Sequence, residues 1–236
     1  MLLSKKNNRK SYLISRLEYF YKNFPKKLAI VSNEHKFTYK QFYESARNFA
    51  QNLNPKSRIA IIDDNKPLSY IAICASLIAG CTYIPITSNQ PIKRINKIIQ
   101  LSNASFIFCK NQKKFKRKNS NKIFLSMNNL NEYSNSKINL KSNNKIFNNL
   151  AYIIFTSGST GEPKGVKISR SNLDHYIKWI SKYFNAKIGD NFIQVSPLGF
   201  DLSVAEMFSS LCSGGTLFPI ENLYDKLFLG KFIKIN

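Results

Sequence analysis

Residues 150–165 read LAYIIFTSGSTGEPKG, and the fold of the chain is decided there. The stretch opens on Tyr152-Ile153-Ile154-Phe155, whose β-branched and aromatic side chains predict a buried strand. The strand runs into Thr156, Ser157, Gly158, Ser159, Thr160 and Gly161, a loop of hydroxyls and glycines without a bulky side chain. Glycines let successive backbone N–H groups turn toward one point, and the hydroxyls add donors beside them, which is what a polyphosphate needs. Lys164 follows Pro163, where the chain is stiff, and sets a point charge next to that nest. Val166-Lys167-Ile168 then predicts a returning strand, so the loop is expected at the tip of a hairpin. A loop of the form G-x-x-x-x-G-K-[ST] opens a helix instead, and this stretch does not match it.

The chain around this stretch has 236 residues, enough for one large domain, and its 43% hydrophobic content is that of a globular protein. The net charge of +23 comes mostly from lysine. A basic face for nucleic acid would concentrate that charge and carry a recognisable motif. Here lysine is spread along the chain and accompanied by abundant Asn and Ile, the signature of AT-rich codon usage, and no nucleic-acid partner is expected. Cys74, Cys81, Cys109 and Cys212 form no C-x-x-C pair and have no His at ligand spacing. They are expected as small buried residues in a reducing, cytoplasmic compartment, with no metal site. The start, MLLSKKNNRK, lacks the apolar core of a signal peptide. Residues 67–92 carry no charge, but Gly80 and Pro85 interrupt them, so a buried helix, a turn and a strand are expected rather than a membrane span.

In chain order, Leu13, Leu17, Phe20 and Phe24 recur at helical spacing. Thr38 and Gln41 predict a capping box for a helix that carries Phe42, Ala46, Phe49 and Leu53 inward. Strands at 59–62, 83–86 and 105–108 alternate with helices starting near Leu68 and Pro91, an order that implies parallel pairing with right-handed crossovers. Residues 110–149 read as a variable connection holding one strand around Ile123-Phe124-Leu125. Beyond the hairpin, Ser171 and Asp174 predict the cap of a helix with Leu173, Ile177, Ile180 and Phe184 inward, and 192–195 a strand. Ser203 and Glu206 predict a second capping box, which would leave Asp201 free at the mouth of a helix following a strand end, where ligands gather in open α/β sheets. Gly214-Gly215 ends that helix before a strand at 216–218. The fold class is therefore α/β, with mixed, largely parallel sheets flanked by helices.

TSGSTGEPKG, preceded by AYIIF, closely resembles the phosphate-binding signature of the adenylate-forming (AMP-binding) superfamily, which holds acyl-CoA synthetases, luciferases and the adenylation domains of peptide synthetases. The Thr38-Tyr39 pair resembles that family's first core motif, which has a structural role. LIAGCTYIPITSNQP resembles its second, with Thr87-Ser88 in place of the usual Asp-Pro. FDLS at 200–203 resembles the motif whose aspartate, in amino-acid adenylation domains, binds the substrate's α-ammonium group. The resemblance covers about Phe37 to Pro219 and implies an adenylate-forming ligase: ATP and a carboxylate, foremost an amino acid, give an acyl-adenylate and pyrophosphate before transfer to a carrier thiol. It implies that Thr156 through Gly161 and Lys164 hold the ATP phosphates and that Asp201 holds the substrate. Magnesium would arrive with ATP, and the acceptor would be CoA or the phosphopantetheine of a carrier protein. A fatty-acid or other acyl-CoA ligase, and a catalytically dead nucleotide-binding remnant, are the alternatives.

The sequence contains no Y-G-P-T-E-like adenine segment, no downstream aspartate for the ribose and no C-terminal lobe with its lysine, so it supplies no residue to the catalytic role. It stops within an amphipathic pattern at Phe232-Ile233-Lys234-Ile235-Asn236. The whole of 1–236 is thus expected to be a partial N-terminal domain of the adenylate-forming fold, only marginally stable, with Phe218, Leu227, Phe228 and Phe232 short of packing partners.

Overall fold

The computed structural model describes residues 11–62, 65–116, 118–126, 149–157, 161–227, 229–230 and 233. Its elements begin with α1 (Tyr12–Asn23), β1 (Leu28–Val31), β2 (Lys36–Thr38), α2 (Tyr39–Ala50), β3 (Arg58–Ile62), α3 (Pro67–Ile78), β4 (Thr82–Ile86) and α4 (Ile92–Ser102). They continue with β5 (Phe106–Cys109), α5 (Lys113–Lys116), β6 (Ile123–Ser126), β7 (Leu150–Ser157), β8 (Pro163–Ser169) and α6 (Arg170–Tyr183). The last are β9 (Asn191–Gln194), α7 (Leu202–Ser213), β10 (Thr216–Pro219) and α8 (Leu223–Leu227).

Strands β6-β5-β3-β4-β7-β8 form a six-stranded sheet in that order, and β2-β1-β10-β9 a four-stranded one. The six-stranded sheet is parallel except for β8, which returns antiparallel along β7. Parallel strands are covered on both faces, which explains why Ile59, Ala60, Ile61 and Ile62 of β3 are all buried. Helix α3, apolar nearly all round, lies in the main core with Leu17, Phe20, Phe42, Phe208 and Leu211 from α1, α2 and α7. A second core under the other face gathers Ile84, Ile86, Ile95, Ile98, Ile99 and Ile153. Where α7 turns into β10, Gly214 has φ +86° and a Cβ there would lie 2.4 Å from the Phe20 ring, so only glycine fits.

Several end-signals fall where the sequence places them. Thr38 and Gln41 form the expected capping box on α2. The Tyr39 hydroxyl, fully buried, donates to the Gly215 carbonyl at 2.9 Å and ties α2 to the turn after α7, a structural role. Others differ. Strands β1 and β2 were not legible as strands, because three or four residues carry no alternation to read. Helix α6 is capped by Ser169, whose hydroxyl accepts from the Asn172 N–H at 3.1 Å, and not by the expected pair Ser171 and Asp174. Asp174 instead caps α1. Its carboxylate accepts from the Ser11 hydroxyl at 2.7 Å and from the backbone N–H groups of Tyr12 and Leu13 at 2.9 and 3.2 Å. A carboxylate there satisfies orphan donors and faces the positive end of the helix dipole. Phe218, expected to be short of partners, is buried beside Val31 and Ile220, while Leu227 is exposed. Phe228 and Phe232 lie outside the described residues.

Because Ser11 makes no cap bond of its own to α1, Asp174→Ala is expected to cost about 1–2 kcal/mol, which lowers the thermal midpoint by roughly 2–8 °C for a chain of this size. Calorimetric melting checks this, and an unchanged midpoint would show that α1 does not depend on the cap.

Candidate nucleotide and carboxylate site

The hairpin forms as its sequence dictates. Strand β7 pairs in parallel with β4 through Tyr152 and Tyr83, and its other edge takes β8, with Phe155 opposite Gly165, Thr156 opposite Lys164 and Ser157 opposite Pro163. The apolar start of β7 is buried, whereas Thr156 and Ser157 emerge exposed at its C-terminal end. Gly165 lets the strands close up, since a Cβ there would press on Ile153 at 3.0 Å and on the Phe155 ring at 3.1 Å. Gly161, in the connecting loop, has φ +78°. Gly158, Ser159 and Thr160 lie outside the described residues.

Directly opposed residues of an antiparallel pair point to the same face, so Thr156 and Lys164 share one. The Thr156 hydroxyl reaches the Lys164 carbonyl only at 3.5 Å, a weak contact that leaves it ready for a better acceptor. Glu162, the carboxylate of the loop, is engaged by Lys97 of α4 at 3.0 Å. The hairpin end therefore offers a hydroxyl pair, a left-handed glycine and an exposed lysine, with its own carboxylate neutralised. These groups suit the phosphates of a nucleotide and, through them, an accompanying magnesium ion; among the described residues no cluster of His, Cys, Asp or Glu would hold a metal by itself.

Asp201 is exposed at the start of α7, but it is not free in the way its sequence implies. Its Oδ1 accepts from the Leu202 N–H at 2.9 Å, making Asp201 itself the N-cap. The expected capping box is absent. The Ser203 hydroxyl donates backward to the carbonyls of Leu198 and Phe200 at 3.2 and 2.6 Å. Glu206 reaches back to Ser196, accepting from its N–H and its hydroxyl at 3.1 Å each. The outward-facing loop is thus braced from behind, and Asp201 stands at its rim.

The Asp201 carboxylate lies within electrostatic reach of two tyrosines that sequence reasoning did not assign to a site. Burial, then Tyr176, then Asp201 push the Tyr152 hydroxyl up to about 12. Burial and then Asp201 raise Tyr176 on α6. Asp201, which follows β9 of the four-stranded sheet, thus acts electrostatically on a tyrosine of the strand that leads into the hydroxyl–glycine loop. A separate cavity of about 520 Å³ opens on the far side of Leu202, between the ends of α6, β9 and α7. Its wall includes Phe184, Phe192, Ile193, Leu202, Ala205 and Glu206, and neither the hairpin nor Asp201 contributes to it. All four cysteines are buried and none forms a disulfide, and burial pushes the Cys74 and Cys212 thiols upward, away from the thiolate form. No helix among the described residues is long and apolar enough to cross a membrane.

Residues 17–234 match the AMP-binding enzyme family, and the chain belongs to it. Among its relatives is the D-alanine--D-alanyl carrier protein ligase of Staphylococcus epidermidis, 31% identical over 216 residues, which cover 91% of this chain and 43% of that protein. A mycosubtilin synthase protein of Bacillus subtilis is 33% identical over 198 residues, 82% of this chain and 8% of that protein. The chain thus spans less than half the length of these curated relatives. Among solved structures, the N-terminal subdomain of NpsA from Klebsiella oxytoca superposes with a TM-score of 0.80 at 22% identity, over 95% of this chain and 59% of that one. An artificially fused adenylation–PCP di-domain from the same organism gives 0.81 at 23% identity, over 95% and 45%. The fold is that of the N-terminal subdomain of adenylation domains.

The raised tyrosines set a pH window. Their folded-state pKa lies above the unfolded value near 10, so their contribution to stability is complete below pH 10 and lost as pH rises, for Tyr152 through about 12. Asp201→Asn removes a negative neighbour and is expected to move the ionisation of Tyr152 and Tyr176 downward, by less than burial moves it upward. Because Tyr39, Tyr43 and Tyr83 are raised still further by burial, the phenolate absorbance titration is read as the difference from a Tyr152→Phe, Tyr176→Phe background, and an unmoved difference would place Asp201 away from Tyr152 and Tyr176.

Proposed function

We propose that this chain is the nucleotide-gripping part of an adenylate-forming ligase that activates an amino acid. The carrying observation is the β7–β8 hairpin, which in a member of the AMP-binding family ends in Thr156, Ser157, Gly161 and Lys164. The hydroxyls, the backbone N–H groups of the loop and Lys164 hold the β- and γ-phosphates, which leave as pyrophosphate when the carboxylate attacks the α-phosphorus. Magnesium, when bound with ATP, neutralises part of that charge. Asp201, within electrostatic reach of Tyr152 and Tyr176, binds the α-ammonium group and so turns the substrate's carboxylate toward the nucleotide.

An amino acid is preferred over a fatty acid because a carboxylate in this position has no role toward an uncharged acyl chain. The name of the staphylococcal relative, which pairs D-alanine with a carrier protein, supports the same choice and a carrier-bound thiol as acceptor. Phosphate contacts alone bind substrate and product alike and do not lower the barrier. The chain by itself is therefore expected to bind ATP without exchanging pyrophosphate.

Calorimetric titration with ATP and magnesium tests the reading. Wild-type chain is expected to bind at one site, and Lys164→Ala to weaken binding by about tenfold to a hundredfold, the worth of one charge-assisted contact. Equal affinity in the variant would remove the hairpin from the site.

A further inference from the structure

The two substrate anchors of the proposed function belong to different sheets. The hairpin continues the six-stranded sheet, whereas Asp201 follows β9 of the four-stranded one. In-line attack requires reacting atoms at about 3–3.5 Å, and misplacement by about 1 Å is costly. Whatever fixes one sheet against the other therefore fixes the reaction geometry.

That joint is visible at Ser196, the first residue of the Asp201 loop. Every polar group of Ser196 is held. Glu206 takes its N–H and its hydroxyl, each at 3.1 Å. Its carbonyl accepts from the Gln194 side-chain amide at 2.9 Å and from the Asn65 amide at 3.2 Å. Asn65 comes from the other sheet, between β3 and α3, and also donates to the Ile220 carbonyl beyond β10 at 3.4 Å. It sits at φ +58°, a conformation that asparagine tolerates better than most residues. The next residue, Lys66, crosses the same joint to pair with Glu221. Further along the loop, a Cβ on Gly199 would lie 2.9 Å from the Thr87 hydroxyl, so the loop also rests on the end of β4.

The joint is expensive in polar atoms. Asn65 and Gln194 are 2% and 0% exposed, yet Asn65 Oδ1, Gln194 Oε1 and Thr87 Oγ1 find no hydrogen-bond partner among the described residues. Apolar packing would join two sheets without orphaned acceptors. What the amides add is direction, since each fixes the Ser196 carbonyl along a line.

We propose that Asn65 and Glu206 are positioning residues, which touch no substrate and set Asp201 in register with the phosphate hairpin. This rests on the proposed function. Two variants isolate it. Asn65→Gly removes the side chain and keeps the left-handed backbone. Glu206→Gln keeps the volume but replaces one of the two oxygens that accept from Ser196 with an NH2 donor.

Hydrogen exchange on the unliganded chain reads the joint itself. Both variants are expected to speed exchange across residues 196–203 by about tenfold while β3, β4 and β7 keep their protection. Calorimetry with ATP and magnesium, and then with D-alanine added to the nucleotide-bound chain, reads the consequence. ATP affinity is expected to be unchanged and D-alanine affinity to fall by about tenfold or more. Unaltered exchange, or looser exchange with D-alanine affinity intact, would overturn the proposal and leave the proposed function standing. Loss of ATP and D-alanine affinity together would make the joint merely structural and overturn the proposal as well. A wild-type chain that binds neither ligand would remove the proposed function, and this inference with it.

Discussion

The rest of the structure depends on the parallel pairing of β7 with β4. It commits β7 to a sheet covered on both faces, which is why Ile153 and Ile154 are buried, one in each core. A strand held so firmly gives a rigid base to the loop it carries. At its C-terminal end the side chains change from ones that water does not solvate to Thr156 and Ser157, which need solvent or a ligand. The antiparallel return of β8 then sets Lys164 beside Thr156 by backbone register and not by a flexible loop. For the proposed polyphosphate, preorganisation of this kind would put donors where its charge lies before it arrives.

The four-stranded sheet gives the second half of the proposed site its own support. Helix α7 leaves this sheet through a loop tied at Ser196 and Ser203 and returns through Gly214, where the Phe20 ring allows no side chain. Asp201 is exposed at the helix start, yet the backbone that carries it is bound on the side away from solvent. The two sheets meet through polar side chains at strand ends, and α1, α2, α3 and α7 share one apolar core behind them.

The hairpin, the alternation of strands and helices, and the buried α3 were legible in the sequence because each is decided locally, by β-branched runs, helical spacing or glycine. The Thr38–Gln41 box was legible for the same reason. The failures share a different cause. Asp174 caps a helix whose first residue lies 162 positions earlier, and no local pattern encodes such a partner. Ser169 and Ser171 were equivalent hydroxyls until the start of α6 chose one. Glu206 satisfied the spacing of a capping box, but Ser196 had two donors to offer it and Ser203 found carbonyls closer at hand. Asp201 was named for a role that its motif implies, and the local argument that left it free fails because Asp201 itself caps α7.

The central claim is that the end of the β7–β8 hairpin is a polyphosphate site. Amide chemical shifts monitored during titration with ATP and magnesium test it most directly. The account predicts the largest changes at Thr156, Ser157, Gly161 and Gly165, with Phe192 and Ala205 in the separate cavity unaffected. Changes centred on Phe192, Leu202 and Ala205 instead would place the nucleotide in that cavity and contradict the account.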